Sequence, residues 1–366
     1  MAVPRSELND RVVNLREALR AHKLSAALIT TEQNVHYLSG FPGQDSALLL
    51  TLHQKFLLTD FRYLEAARAS APGFTVVIRP AGLMEKVGHV AKRLRLRKLA
   101  VEPANLRLVD VRALRHAARR VRLRPVEGLV GLLRLRKSPW EIRQIEHALR
   151  IQETAFTELC RHLRMGSSER EAAAWLRFLM VKGGAEDQGF ETMFLTGAHA
   201  SRPHGHPDQK ALKAPSLMLI DWGARHEGYH SDLTRTFFLG TIPRRLRQIH
   251  QVVMRAQQEA IARVGPGVAL AEVDAAARKV ITQAGFGKAF GHSTGHGLGL
   301  EIHEMPTVSA RAKGTLQPGM VVTVEPGIYL PGVGGVRIED DVLVTPTGYR
   351  VLSRLPKGLR WDGGNE

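Results

Sequence analysis

Residues 216–239 read Ser216-Leu-Met-Leu-Ile-Asp221-Trp-Gly-Ala-Arg-His-Glu-Gly-Tyr-His-Ser-Asp232-Leu-Thr-Arg-Thr-Phe-Phe-Leu239. An apolar run of strand length ends on a carboxylate, and a second acid stands just before another strand-like run. The pattern returns twice downstream. Met320-Val-Val-Thr-Val-Glu325 closes an apolar run with an acid, and Val336-Arg-Ile-Glu-Asp-Asp-Val-Leu-Val344 sets three acids, Glu339 among them, inside another. An unpaired buried carboxylate is costly and needs a cation or a proton. One such acid reads as a cap or an ion-pair partner. Several in one region read as a shared cation site.

Histidines supply the rest. Gly291-His-Ser-Thr-Gly-His-Gly-Leu-Gly-Leu-Glu-Ile-His-Glu304 holds His292, His296 and His303. Its glycines, at 291, 295, 297 and 299, argue against a helix and let the backbone approach a ligand. It lacks the G-x-x-x-x-G-K-[ST] pattern of a phosphate loop. His199, His204 and His206 form a second cluster on a loop rich in Pro and Gly. Four carboxylates and an imidazole are too many ligands for one structural zinc and do not form an EF-hand loop. They suit two divalent ions about 3.5–4 Å apart that share bridging carboxylates. Mn, Co, Zn and Fe all fit such donors. A site of this kind activates water and polarises a carbonyl, which is the chemistry of hydrolysis.

Outward from that region the chain is organised in two parts. Its 366 residues suggest two or three domains at ~100–200 residues each. The first part reads as α/β: a helix over 8–22, strands over 26–29, 46–52, 55–59 and 99–101, and helices over 63–69 and 109–121. The boundary falls at 134–138, where Ser138-Pro-Trp-Glu141 is a strong helix start. Helices are expected to Leu163, from Ser168 to Gly183, and over 243–264 and 270–284. Strands are expected over 191–196, 216–221, 234–239, 320–324 and 336–344. The second part is therefore α+β.

Lys and Arg number 52 against 35 Asp and Glu, a formal charge of +17 that puts nucleic acid among the possible partners. The excess is concentrated between Lys92 and Arg136, where 14 bases meet three acids. No Phe, Tyr or Trp interleaves them from Val90 to Leu135, so a solvated face is the expected reading and no specific nucleic acid is expected. Cys160 is the only cysteine, which excludes an internal disulfide and a cysteine zinc cluster; it is assigned no role. No apolar stretch nears the ~18 residues of a membrane span. The charged N-terminus has no apolar signal region, and a cytoplasmic protein with no membrane partner is expected.

The combination Asp221-Trp-Gly, Tyr229-His-Ser-Asp-Leu-Thr-Arg-Thr-Phe237, His296-Gly-Leu-Gly-Leu-Glu-Ile-His303, Val324-Glu-Pro-Gly-Ile-Tyr329 and Val336-Arg-Ile-Glu-Asp340 resembles the pita-bread metallopeptidases of the M24 family. Asn34-Val-His-Tyr-Leu-Ser-Gly-Phe41 and Leu57-Leu-Thr-Asp60 resemble the creatinase-type N-terminal domain of Xaa-Pro peptidases. The resemblance implies an α+β protein: a smaller α/β creatinase-type domain over 1–132, then a pita-bread catalytic domain over 138–366. It implies two divalent metal ions per subunit, Mn first with Co or Zn as alternatives, held by Asp221, Asp232, His296, Glu325 and Glu339. Glu325 would be the general base. His303 would stabilise the developing oxyanion or bind substrate, and His204 would contact substrate. His292, Tyr329 and Arg337 would line the proline side. Arg337 and Glu339, two apart, would face the same way if they share a strand. Peptides with proline second would be the substrates, and a homodimer the assembly.

Methionine aminopeptidases generally lack the N-terminal domain, and creatinases lack the metal ligands. Filled ligand positions favour an enzyme over a non-enzymatic binding protein of the same fold. Within the Xaa-Pro branch, dipeptidases recognise a free carboxylate, and many place an Arg in an H-E-x-P-R pattern. Here the run is His303-Glu-Met-Pro-Thr307. Thr307 leaves room for a longer peptide and favours the Xaa-Pro aminopeptidase. Arg311 offers a substitute anchor and keeps the Xaa-Pro dipeptidase (prolidase) as the alternative.

Overall fold

Short, continuous apolar runs in the first 134 residues have the length of buried strands and become them. The computed structural model of the chain describes residues 3–80 and 82–358. It divides into two compact units, Met1–Arg134 and Leu135–Glu366. The first unit runs α1 (Arg5–Ala21), β1 (Ala26–Ile29), α2 (Glu32–Ser39), β2 (Ala47–Thr51), β3 (Lys55–Thr59), α3 (Leu64–Ser70), β4 (Thr75–Ile78), α4 (Leu83–Arg93), β5 (Lys98–Val101), α5 (Leu108–Ala117), β6 (Arg122–Pro125) and α6 (Gly131–Arg134). The strands form one mixed sheet in the order β4-β3-β2-β1-β5-β6. β1 and β2 are buried at every residue, so they carry Ala, Leu and Ile without alternation. α1 buries Leu8, Val12, Leu15 and Leu19 at helical spacing. α2 was not expected. Its start is fixed by Glu102, whose Oε2 accepts the amides of Thr30 at 2.8 Å and Thr31 at 3.0 Å, while Oε1 accepts from Asn34.

The basic stretch lies at the surface. All its Lys and Arg side chains from Lys92 to Arg136 are exposed except Arg134, which donates to Asn34 at 2.8 Å. Its edge strand β6 is Arg122-Leu-Arg-Pro125. Exposed charge and a proline on an edge strand deter pairing with another chain.

The second unit runs α7 (Pro139–His162), α8 (Glu169–Lys182), β7 (Asp187–Gln188), β8 (Met193–Thr196), β9 (Ser216–Trp222), β10 (Ala224–His226), β11 (Tyr229–His230), β12 (Leu233–Leu239), α9 (Arg244–Ile261), α10 (Leu270–Gln283), β13 (Gly295–Gly297), β14 (Glu304–Val308), β15 (Val321–Val324), β16 (Gly327–Leu330), β17 (Gly334–Arg337), β18 (Asp340–Thr345) and β19 (Gly348–Val351). α7 begins with a reciprocal cap: Ser138 Oγ accepts the Glu141 amide at 3.2 Å, and Glu141 Oε2 accepts the Ser138 amide at 2.9 Å. The sheets are β12-β9-β8, β14-β13-β15-β18-β19, β11-β10-β7 and the pair β16-β17. β9 is apolar on both faces because both are covered. Leu217 and Leu219 join the core that contains Phe238 and the inner face of α9, whereas Met218, Ile220 and Trp222 join the core of α7 and α8. Asp221 continues the Leu217–Leu219 face.

One expectation changes. The run 336–344 is not one strand. β17 pairs with β16, and β18 pairs with β15. Ile338 and Glu339 bridge the two because the Glu339 backbone turns to β12: its amide donates to Thr234 O at 3.1 Å, and its carbonyl accepts from Arg235.

The core also holds an imidazole. His250, on α9, is 2% exposed and meets the edge of Phe238 at 6.1 Å. Burial drives its pKa down to about 4 from an ordinary 6.5. A depressed histidine pKa gives stability that is complete above about pH 6.5 and is lost as pH falls toward the folded value. Between those limits the loss should approach roughly 3 kcal/mol. Urea midpoints at pH 7 and pH 4.5 should therefore separate by less in His250→Leu than in the wild-type chain. Equal separation in the two proteins would refute this assignment.

Candidate metal centre

The expected ligands come from strand ends that converge on one cavity of about 540 Å³. Asp221 is the penultimate residue of β9, and Asp232 stands just before β12; Thr234 of β12 is the cross-strand partner of Asp221. His296 is the middle residue of β13, and Glu325 follows β15. Glu339 lies in the bridge between β17 and β18. All five line the cavity. Ligand atoms of Asp232, His296 and Glu339 lie within 4.8 Å of one another. His296 Nε2 is 3.6 Å from Asp232 Oδ2 and 3.5 Å from Glu325 Oε1. Asp221 is outside that tight group. Its Oδ2 accepts from Arg337 at 2.5 Å, and its Oδ1 is buried with no hydrogen-bond partner among the described residues.

The glycines beside His296 serve the sheet. A Cβ on Gly295 would collide with the Thr323 carbonyl, and one on Gly297 with the Met305 carbonyl. They let β13 press between its neighbours. The close approach expected toward a ligand is made to protein backbone instead.

The hydrogen bonds fix the imidazole. His296 Nδ1 lies 3.1 Å from the Gly297 carbonyl, which can only accept, so Nδ1 carries the proton. Burial lowers the His296 pKa to about 4, so the ring is neutral and Nε2 is an acceptor. An acceptor nitrogen thus faces two carboxylates. Burial, reinforced by the other acids of the site, pushes the Asp232 and Glu339 carboxyls well above their ordinary values. Burial likewise raises Glu325 to about 7. An acceptor among mutually repelling carboxylates, with one orphaned Asp221 oxygen, is relieved by a cation. The oxygen-rich, one-imidazole donor set fits divalent metal ions.

A family model described as metallopeptidase family M24 matches residues 143–346, and one described as the creatinase/prolidase N-terminal domain matches residues 11–136. The chain belongs to metallopeptidase family M24. It is similar to a structure described as an Xaa-Pro dipeptidase from Bacillus anthracis, with a TM-score of 0.93 and 37% identity over 96% of this chain and 99% of that one. A structure described as an X-Pro aminopeptidase from Thermotoga maritima aligns with a TM-score of 0.88 and 33% identity over 94% and 99%. The Xaa-Pro dipeptidase of Pyrococcus horikoshii is 33% identical over 96% of this chain and 99% of its own length.

This M24 chain arranges the other expected residues around the cavity. His204, His292, His303 and Arg337 line it. The His303 ring meets the edge of His296 with centroids 4.3 Å apart. Tyr329 stands behind the wall instead of on it. Its hydroxyl accepts from Arg337 Nη1 at 2.8 Å and lies 3.0 Å from His292 Nε2. His292 Nδ1 is 2.8 Å from the Ser293 carbonyl, so Nε2 is the acceptor and Tyr329 donates to it. Arg337 and Glu339 face the same cavity, although no strand is continuous between them. Thr307 lines the cavity; Arg311 is exposed and is not on its wall. In the second histidine cluster, His206 pairs with Glu191 at 3.1 Å on the cavity wall, and His199 is buried against Glu169 at 2.7 Å.

Three supporting residues escaped the sequence reading. Thr234 donates to Glu339 Oε2 at 2.6 Å and accepts from Arg337 Nε at 3.0 Å. Thr323 accepts the His296 amide at 3.1 Å. Asp341 accepts the Asp232 amide at 3.2 Å. Their signal was period two: Thr234 is two from Asp232, and Thr323 and Asp341 are two from Glu325 and Glu339. Burial raises the Cys160 thiol to about 12, which keeps it protonated. Among the described residues no helix is long and apolar enough to cross a membrane.

Proposed function

We propose that this protein is a metal-dependent peptidase that hydrolyses Xaa–Pro bonds, with Xaa-Pro dipeptides as preferred substrates. The observation that carries the reading is the convergence of Asp232, Glu325 and Glu339 on the acceptor nitrogen of His296. The relatives described as Xaa-Pro dipeptidases support the dipeptidase, against the aminopeptidase expected from Thr307. The cavity volume suits a small molecule or a short peptide.

In this reading residues 1–132 form the N-terminal domain and 138–366 the catalytic domain, and the molecule is a homodimer. Asp221, Asp232, His296, Glu325 and Glu339 hold two divalent ions, with manganese first. When bound, these ions supply Lewis acidity toward the scissile carbonyl and lower the pKa of water. Glu325, fixed at the end of β15, accepts the proton of the attacking water and passes it to the proline nitrogen. His303 and His204, on the exposed side, donate to the oxygen on which charge develops and to the substrate. Arg337 is locked by Asp221, Thr234 and Tyr329, and with His292 it shapes the proline side.

The test is hydrolysis of Ala-Pro and Ala-Pro-Ala by Mn²⁺-loaded protein, followed by chromatography. kcat/KM for the dipeptide should exceed that for the tripeptide by more than about tenfold. The reverse preference would install the aminopeptidase, and Thr307 would then be the relevant difference. Cleavage of neither would overturn the peptidase.

A further inference from the structure

Glu169 is the first residue of α8 and is 1% exposed, yet it does not line the catalytic cavity and the reaction above makes no use of it. Four donors converge on its carboxylate. Oε1 accepts the Thr196 amide at 2.6 Å and the Thr196 hydroxyl at 2.8 Å. Oε2 is 2.7 Å from His199 Nδ1 and accepts the Asp208 amide at 3.2 Å. Ligand atoms of Glu169, His199 and Asp208 lie close enough together to suggest a cation site. The oxygens argue otherwise, because a carboxylate offers about four lone-pair positions and all are used. This cluster is a fastening.

What it fastens is the loop between Thr196, which ends β8, and Asp208. The loop's first foot is held by the carboxylate through Thr196 and His199. Its second foot is held by the same carboxylate and by backbone bonds from Glu169 to Lys210 at 3.0 Å and from Arg170 to Asp208 at 3.0 Å. Pro203, His204, Gly205, His206 and Pro207 on this loop line the catalytic cavity, and Arg337 Nη1 pins its tip through the Pro203 carbonyl at 3.3 Å. His204 is exposed, and no side-chain hydrogen bond among the described residues fixes its ring. Its placement therefore depends on the backbone that carries it. A carboxylate that closes both ends of a loop removes most of the conformational freedom between them.

We propose that Glu169 is a positioning residue: by buckling the two feet of the Thr196–Asp208 loop it sets His204 against the substrate. The inference rests on the proposed contact of His204 with substrate. Glu169→Gln keeps the volume and one acceptor for Thr196, but sets an amide donor against the Asp208 amide.

The test is a double-mutant cycle on Mn²⁺-loaded full-length protein with Ala-Pro as substrate. Glu169→Gln should lower kcat/KM ten- to a hundredfold, the usual consequence of a misplaced contact group, with metal content unchanged. In a His204→Ala background the same change should cost less than about threefold, because the group it positions is gone. Glu171→Ala, which removes the neighbouring cap of the same helix, should lower the melting temperature without changing kcat/KM. If Glu169→Gln does not fold, His199→Ala, which deletes one donor, replaces it in the cycle. Equal losses in both backgrounds would overturn the proposal and leave Glu169 a stability residue. Full activity in His204→Ala alone would overturn the role given to His204, and any loss in Glu169→Gln would then have another origin.

Discussion

Glu339→Gln should lower turnover by at least about a thousandfold, equivalent to about 4 kcal/mol of lost transition-state stabilisation. The substitution is nearly isosteric, and Gln keeps an oxygen for the Thr234 hydroxyl that Glu339 Oε2 accepts at 2.6 Å. The fold should survive. What disappears is a charge that, with Asp232 and His296, completes the tightest donor group of the cavity. The same charge opposes folding when no cation is present, since burial and the neighbouring Glu325 and Asp221 push the Glu339 carboxyl well above its ordinary range. Metal-free Glu339→Gln should therefore melt at a higher temperature than metal-free wild-type protein. Added Mn²⁺ should reverse the order by stabilising only the wild type strongly. A variant that melts lower in both conditions would mean that Glu339 is a structural acid, and the cation site would have to be drawn without it.

The largest effect on stability is expected at Arg235. This guanidinium is 1% exposed. It donates to Asp340 Oδ1 at 2.8 Å, to the carbonyls of Thr234 at 3.0 Å and Leu355 at 2.7 Å, and to the carbonyl of Glu339. Asp340 also accepts from Gln257 at 2.7 Å and from Lys357. Arg235→Met fills much of the volume but takes a donor from a buried carboxylate and from four carbonyls, those named and Pro356, which accepts from Nε at 3.3 Å. Removing one partner of such a pair costs about 3–5 kcal/mol. Arg235→Lys restores the charge without the planar fork and should recover less than half of the loss. Urea unfolding followed by tryptophan fluorescence measures both; a loss below about 1 kcal/mol for Arg235→Met would show that the network is not coupled to folding. Arg235 also holds the Glu339 carbonyl, so folded Arg235→Met should bind Mn²⁺ more weakly than wild-type protein.

The sequence disclosed the acids that matter because each violates its surroundings. Asp221 and Glu325 end apolar runs, and Asp232 begins one. The three adjacent acids 339–341 were legible as a group but not individually. They part company through tertiary partners: Glu339 meets Thr234 and the cavity, Asp340 meets Arg235, and Asp341 caps the Asp232 amide. No local pattern carries that division. The broken strand at 338–339 was hidden for the same reason, since Val336-Arg-Ile alternates as a strand should while the backbone turns toward β12. In the first unit, β6 reads as a basic run because Arg122 and Arg124 are exposed and Leu123 alone of its four residues packs on the core. α2 is eight residues long, too short for periodicity to declare it, and depends on a Glu102 carboxylate some 70 residues away in the chain. Tyr329 meets the cavity through Arg337 and His292, a relation that sequence order does not carry.

In the proposed reaction these buried acids and His296 hold catalytic metal. The decisive experiment removes metal from the full-length protein with a chelator, confirms the loss by elemental analysis, and assays Ala-Pro hydrolysis before and after Mn²⁺ is added back. The prediction is loss of activity on stripping, and recovery that saturates near two equivalents per chain. Unchanged hydrolysis by verified metal-free protein would contradict it.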